Sequence, residues 1–177
     1  ISDQKQIVPN IPLGYFRFAD YDSDGDKDLI ASDNTKRTYL YRNEKGSFTL
    51  HQEIPGIQIN WASFGDYDND GGLDMAITGV DNFGQSIFKL YRNVSGRFEE
   101  DIDNSVIPNS EYSAFGDYDN DGDLDLVISG KGVDNIRKIR LYENSLILKA
   151  GEVFANNLPF PPRKIIFLFR SFFIRIR

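Results

Sequence analysis

The chain contains no cysteine and only one histidine, one tryptophan and one methionine among its 177 residues. With no cysteine there is no disulfide framework and no thiolate zinc site, while both oxidising and reducing compartments stay open. A lone histidine, His51, has no second histidine or cysteine with which to build a zinc or catalytic centre, and it is read as a surface strand residue. Long apolar runs are missing too: the longest, residues 165–169, stops at Arg170, far short of a membrane span. No nucleophile–base pair, phosphate-binding loop or other catalytic motif is present, so the chain is not expected to be an enzyme. It starts at Ile1 with no secretory n-region or h-region, which reads as a leader that is absent or already removed. Positive charge is scarce over most of the length. Lys and Arg number 20 against 27 Asp and Glu, for a formal charge of −7, and five of the basic residues sit together in residues 163–177. Nucleic acid is therefore excluded as a partner.

What the chain does have is aromatic and apolar content, at 14% and 40%, which places it among globular proteins and favours strands over helices. It also has repeats. Residues 15–32 (YFRFADYDSDGDKDLIAS), 61–78 (WASFGDYDNDGGLDMAIT) and 112–129 (YSAFGDYDNDGDLDLVIS) align without gaps. A second landmark follows each, in residues 39–48 (YLYRNEKGSF), 89–98 (KLYRNVSGRF) and 140–154 (RLYENSLILKAGEVF). The period is about 50 residues: Asp20, Asp66 and Asp117 open the three loops, and Tyr41, Tyr91 and Tyr142 mark the second feature. Within one repeat the pattern predicts four short strands, illustrated by residues 61–64, 73–78, a third around Phe88, Leu90 and Tyr91, and a fourth at 97–100 after a Ser95-Gly96 turn. No stretch sustains a period of 3.6, so little helix is expected. Four strands in about 50 residues is the size of a propeller blade.

The loops between first and second strands carry the chemistry. Each reads D-x-D-x-D-G-x-x-D, holding five, four and five aspartates in turn. Carboxylates at positions 1, 3, 5 and 9 of a tightly curled loop converge on one point, which suits a hard cation that takes six to eight oxygens. Glycine at position 6 supplies the sharp turn, and position 7 is expected to offer only its backbone carbonyl. The candidate ligands are Asp20, Asp22, Asp24, Asp26 (carbonyl) and Asp28; Asp66, Asp68, Asp70, Gly72 (carbonyl) and Asp74; and Asp117, Asp119, Asp121, Asp123 (carbonyl) and Asp125. The cofactor expected is Ca²⁺, about three ions per chain, since Mg²⁺ keeps its waters and is rarely caged by protein alone. These are not EF-hands. The bidentate glutamate due at position 12 is replaced by Ala31, Ile77 and Ile128, which belong to apolar strands.

The FGDYDNDGDLDL…LYRN…G-F pattern resembles the FG-GAP/VCBS repeat family, which is related to the calcium-binding blades of integrin α-subunit propellers. The resemblance covers residues 12–158. It implies an extracellular, secreted or cell-surface propeller of about seven blades, with calcium in its loops and protein or glycan ligands on its faces. The expected fold is thus all-β, a partial propeller of three four-stranded blades at about 12–58, 59–108 and 109–158, with the further blades missing from this fragment. Residues 159–177 form a basic, apolar tail outside the repeats, read as an artefact, a truncation or a cap. In the first repeat Phe18-Ala19 replaces the usual Phe-Gly, which puts the local turn in question but not the ligands. Of the remaining residues, Tyr15, Trp61 and Tyr112 share one repeat position and are read as core or interblade aromatics. Asn93-Val94-Ser95 is a glycosylation sequon whose place also fits hairpin chemistry. The function expected is interaction or adhesion. The alternatives are a carbohydrate-binding propeller, free-standing or accessory to a polysaccharide-active enzyme, and a structural spacer.

Overall fold

The structure is a computed structural model and describes residue 8 and residues 13–102, 109–131, 135–144 and 174–176. Three antiparallel sheets account for its regular structure. The first comprises β1 (Leu13–Ala19), β2 (Asp28–Asp33), β3 (Arg37–Glu44) and β4 (Ser47–Pro55), in that order across the sheet. The second repeats the arrangement with β5 (Ile57–Gly65), β6 (Asp74–Asp81), β7 (Ser86–Val94) and β8 (Arg97–Glu100). The third has β9 (Ser110–Gly116), β10 (Asp125–Lys131) and β11 (Arg137–Asn144), with β12 (Ile174–Ile176) antiparallel to β11 at its edge. No α-helix occurs among the described residues. The stretch at 145–158, where the third repeat was expected to finish its fourth strand, lies outside the described residues, as does most of 159–177.

Local chemistry explains the hairpins. Lys45-Gly46 and Ser95-Gly96 have positive φ at both residues (52° and 89°, 53° and 83°), the requirement of a two-residue turn whose twist matches its strands. At the β2–β3 turn the Asp33 carboxylate accepts the Thr35 and Arg37 amides and the Tyr39 hydroxyl, and this hydrogen bonding holds its pKa below the ordinary value against the opposing effect of burial. β5 starts earlier than the pattern predicts, at Ile57 rather than residue 61. Ile57 and Ile59 are almost fully buried between the first two sheets, so packing extends a strand whose sequence marks only its inner end.

The sheets pack face to face in chain order, and strict alternation along each second strand divides its residues between two interfaces. Ile30 of β2 meets Met75 and Ile77 of β6 in one core, with Tyr21, Leu40, Tyr91 and Phe98 around them. Ala76, on the opposite face of β6, joins Phe88, Leu90, Leu126, Ile128 and Tyr142 in the core against the third sheet. Each fully buried Ile, Leu, Met or Phe side chain among them contributes roughly 1.5–3 kcal/mol. Polar groups bridge the sheets as well: the Thr38 hydroxyl donates to Ile57 O and the Thr78 hydroxyl to Glu111 O. Three such sheets do not close a ring. Each Asp-rich loop hangs between first and second strands at the point where the strands start to pair, and Asp28, Asp74 and Asp125 sit opposite Ala19, Gly65 and Gly116.

Candidate metal centres

All three loops adopt one conformation, dictated by two backbone positions. Position 6 is glycine with φ of 95°, 92° and 93° at Gly25, Gly71 and Gly122, where a Cβ would be strained. Position 4 is also left-handed, at Ser23 (60°), Asn69 (53°) and Asn120 (59°). With the chain curled this way, the glycine amide points back at the first aspartate: Gly25, Gly71 and Gly122 N–H donate to Asp20, Asp66 and Asp117 Oδ2 at 3.2, 3.0 and 3.1 Å.

The ninth-position aspartates are buried and hold each loop to its blade. Asp28 Oδ2 accepts the Tyr21 amide and Oδ1 the Asn43 amide, at 3.1 and 2.9 Å. Asp74 does the same with Tyr67 and Asn93, at 3.0 and 2.7 Å, and Asp125 with Tyr118 and Asn144, at 3.0 and 2.8 Å. A buried charge surrounded by like charges is costly. Burial is the main cause that pushes the Asp74 carboxyl up to about 7, with Asp68 and Asp70 adding to it and the Asn93 and Tyr67 amides opposing it. Asp28 is raised in the same direction, again chiefly by burial.

The geometry gathers oxygens in each loop. Carboxylates of Asp20, Asp22 and Asp28 offer one atom each within 4.8 Å of one another, as do those of Asp66, Asp68 and Asp70, and those of Asp117, Asp119 and Asp125. Asp24, Asp121 and Asp74 fall outside these groupings. Asp24 and Asp121 turn an oxygen onto the Asp26 and Asp123 amides, both at 2.9 Å. The position-7 side chains face elsewhere: Asp26 Oδ2 accepts the Lys45 amide at 2.8 Å, and Asp123 Oδ1 accepts from Asn69 Nδ2 of the preceding loop at 2.7 Å. At Gly72 a side chain would be a tight fit, since a Cβ there would lie 3.1 Å from Asp70 Oδ1 and 3.2 Å from Asn93 O.

Whether a hard cation suits these loops is answered most directly in the first. Asp20 Oδ1 and Asp22 Oδ1 are buried without a hydrogen-bond partner, although Asp22 Oδ2 lies 2.7 Å from Arg42 Nε. Buried carboxylate oxygens need compensation, and an all-oxygen, all-anionic donor set matches a hard divalent cation. The residues fit. Between the first and second loops lies a polar cleft of about 550 Å³, lined by Asp22, Asp24, Arg42, Asp70, Asn93 and Gly96 among others.

Several contributors carry no signal in the aspartate motif. Asn93 of the LYRN segment is buried, and its Nδ2 donates to Leu73 O and to Tyr21 O of the preceding loop while its Oδ1 accepts the Gly96 amide. The amide of this sequon is thus committed to the hairpin and the loops, which leaves it closed to a glycan. His51 is half-buried between blades rather than on an open surface, with Nε2 3.1 Å from Gly96 O. Next to it, Gln52 exchanges hydrogen bonds with the Phe98 backbone. Trp61 has an interblade place: its Nε1 donates to Ser113 O, Tyr112 meets it edge-on, and the Arg17 guanidinium lies 5.5 Å from its ring centre. Tyr15 likewise accepts the Ala62 amide from the next sheet.

The family model of the FG-GAP-like repeat matches residues 20–77 and 66–128, each window running from one blade's first loop aspartate into the second strand of the next blade. No curated protein matches the chain.

Proposed function

The chain belongs to the FG-GAP-like repeat family, and on that premise we propose that it is a calcium-binding β-repeat module of a secreted or cell-surface protein, acting by interaction or adhesion. The observation that carries this reading is the threefold recurrence of converging carboxylates, together with the buried, unpartnered oxygens of Asp20 and Asp22. Asp20, Asp22 and Asp28 would hold the first ion, Asp66, Asp68 and Asp70 the second, and Asp117, Asp119 and Asp125 the third. Asp24, Asp74 and Asp121 stand beside these sets, and carbonyls are available at Asp26, Gly72 and Asp123. A bound ion would supply charge compensation and cross-link loop to blade. Extracellular modules with sites of this kind bind calcium at roughly 10⁻⁴–10⁻³ M, so calcium outside the cell would keep them filled.

A glycan ligand is the second reading. Exposed aromatic rings favour it: Phe16 and Tyr112 are 65% and 56% exposed on the first strands of their blades, and aromatic rings are what sugars stack on, while Trp61 is partly covered by Arg17. Calorimetric titration with calcium tests the main reading, and three ions per chain are expected. No heat of binding and no change in the thermal melt at millimolar calcium would refute it. A glycan array probed with the calcium-loaded chain separates the two kinds of ligand.

A further inference from the structure

We infer that Asn93 and Asn144 are positioning residues that couple neighbouring cation centres, so that filling one centre favours filling the next. The inference rests on the calcium reading above and adds to it the residues through which the centres act on each other.

The connection is short. In the second blade, Asp74 Oδ1 accepts the Asn93 amide at 2.7 Å. The Asn93 side chain then donates across the blade interface to Tyr21 O, the carbonyl between Asp20 and Asp22 of the first loop. Tyr21 N–H in turn donates to Asp28 Oδ2. A carboxylate of the second loop is therefore joined, through one asparagine, to the backbone that sets the spacing of two carboxylates in the first. The same path recurs one blade on: Asp125 Oδ1 accepts the Asn144 amide at 2.8 Å, and Asn144 Nδ2 donates to Tyr67 O, between Asp66 and Asp68, at 2.7 Å. Both asparagines are about 95% buried, where a hydrogen bond is stronger than at a wet surface.

Asn43 separates this role from an ordinary hairpin role. It holds the same place in the first blade, donates its amide to Asp28 Oδ1, accepts the Gly46 amide and donates Nδ2 to Lys27 O of its own loop. Closing the hairpin and bonding to the blade's own loop thus need no partner in another blade. The bond to a preceding loop is an addition made by Asn93 and Asn144. A loop whose tyrosine carbonyl is already fixed has less freedom to lose when its carboxylates converge, which makes binding at the first centre easier once the second is ordered. Repulsion between filled centres opposes this and is screened over about 8 Å at physiological ionic strength.

The glycine amides at position 6 provide one reporter per loop, since each donates to its own first aspartate. Nuclear magnetic resonance of ¹⁵N-labelled protein would follow Gly25, Gly71 and Gly122 through a calcium titration. Asp70→Ala, made to empty the second centre, should move the Gly25 and Gly122 midpoints to about fivefold higher calcium, the low end of typical coupling. In an Asn93→Ala background, which keeps the backbone bond to Asp74, Asp70→Ala should still move Gly122 but leave Gly25 nearly unmoved. Asn144→Ala should give the mirror result and serves if Asn93→Ala does not fold. A Gly25 midpoint indifferent to Asp70→Ala would overturn the coupling while leaving calcium binding intact, and so would a shift that survives Asn93→Ala in full. Three glycine amides that ignore calcium altogether would sink the calcium reading and the coupling with it.

Discussion

Arg42 Nε lies 2.7 Å from Asp22 Oδ2, an ion pair formed at the lip of the first loop and covered by the Gly96 turn of the next blade. The sequence-equivalent residue is Arg92 in the second blade and Glu143 in the third. Glu143 bears on Asp119, whose carboxyl is raised by partial desolvation first, then by the charges of Asp121 and Asp125, with Glu143 adding to them. One position thus places a positive charge beside a candidate ligand in one loop and a negative charge in another. Arg42→Gln should tighten calcium binding at the first loop by roughly threefold to tenfold, and Glu143→Gln should weaken the third by a similar factor. The Gly25 and Gly122 amide resonances read the two centres separately, and equal midpoints unchanged by either substitution would contradict this ranking.

Chelation should destabilise the fold. A site filled at about 10 times its dissociation constant adds roughly 1.4 kcal/mol, and a domain of this size shifts its melting temperature by about 2–4 °C per kcal/mol. Three sites place the expected drop on excess EDTA on the order of 10 °C or more. Scanning calorimetry with and without chelator measures it, with magnesium as the control that should restore little.

The raised Asp74 carboxyl gives the metal-free protein a pH signature. Its folded value of about 7 lies above the ordinary value of 3.8, so the folded state holds a proton that the unfolded chain has already released. Stability from this group is complete below the unfolded value and is lost as pH rises toward 7. Asp28 acts in the same direction, whereas Asp33, whose pKa is lowered, contributes above about pH 4 and loses its contribution in stronger acid. In EDTA the melting temperature should therefore fall by several degrees between about pH 5 and pH 7.5. With saturating calcium the slope should flatten or reverse, because a divalent cation held beside Asp74 favours its ionised form. A metal-free melting temperature that climbs over this interval would show that Asp74 is not held protonated.

Much of the architecture is written in period and alternation. Three blades, the place of each loop and the Ser95-Gly96 turn can all be read from spacing, because two-residue turns and half-buried strands each demand particular residue types. The loops were legible as aspartate patterns, yet the division of labour within them was not. Position 9 is spaced like the other carboxylates, but only the fold shows Asp28, Asp74 and Asp125 buried and bonded to two backbone amides each. Left-handed backbone at position 4 has a faint signal, asparagine in two repeats and serine at Ser23 in the other. The interblade bonds of Asn93, His51 and Gln52 had none, since partners 45 or more residues away leave no local trace.

The Phe-Gly step that ends each first strand gives a final comparison inside one molecule. Sequence suggests that this glycine serves the turn, and Ala19 in the first repeat then looks like a defect. Among these three residues none has positive φ, and the first loop keeps the Gly25 bond to Asp20 and both amide bonds to Asp28, although Asp20 Oδ1 lacks the position-5 amide that Asp66 and Asp117 accept. What constrains the position is the neighbouring blade. A Cβ on Gly65 would come within 2.8 Å of Leu124 Cδ1 and 3.1 Å of Phe115, whereas one on Gly116 would meet nothing within 4 Å. Gly65→Ala must therefore turn the Leu124 side chain aside and displace Phe115 by a few tenths of an ångström, at about 1–2 kcal/mol. Gly116→Ala should stay within about 0.5 kcal/mol of the parent. Thermal melts of the two variants, at fixed calcium, should differ by roughly 3–8 °C. If both alanines cost the same, the glycine is a requirement of the loop itself, and the packing explanation fails.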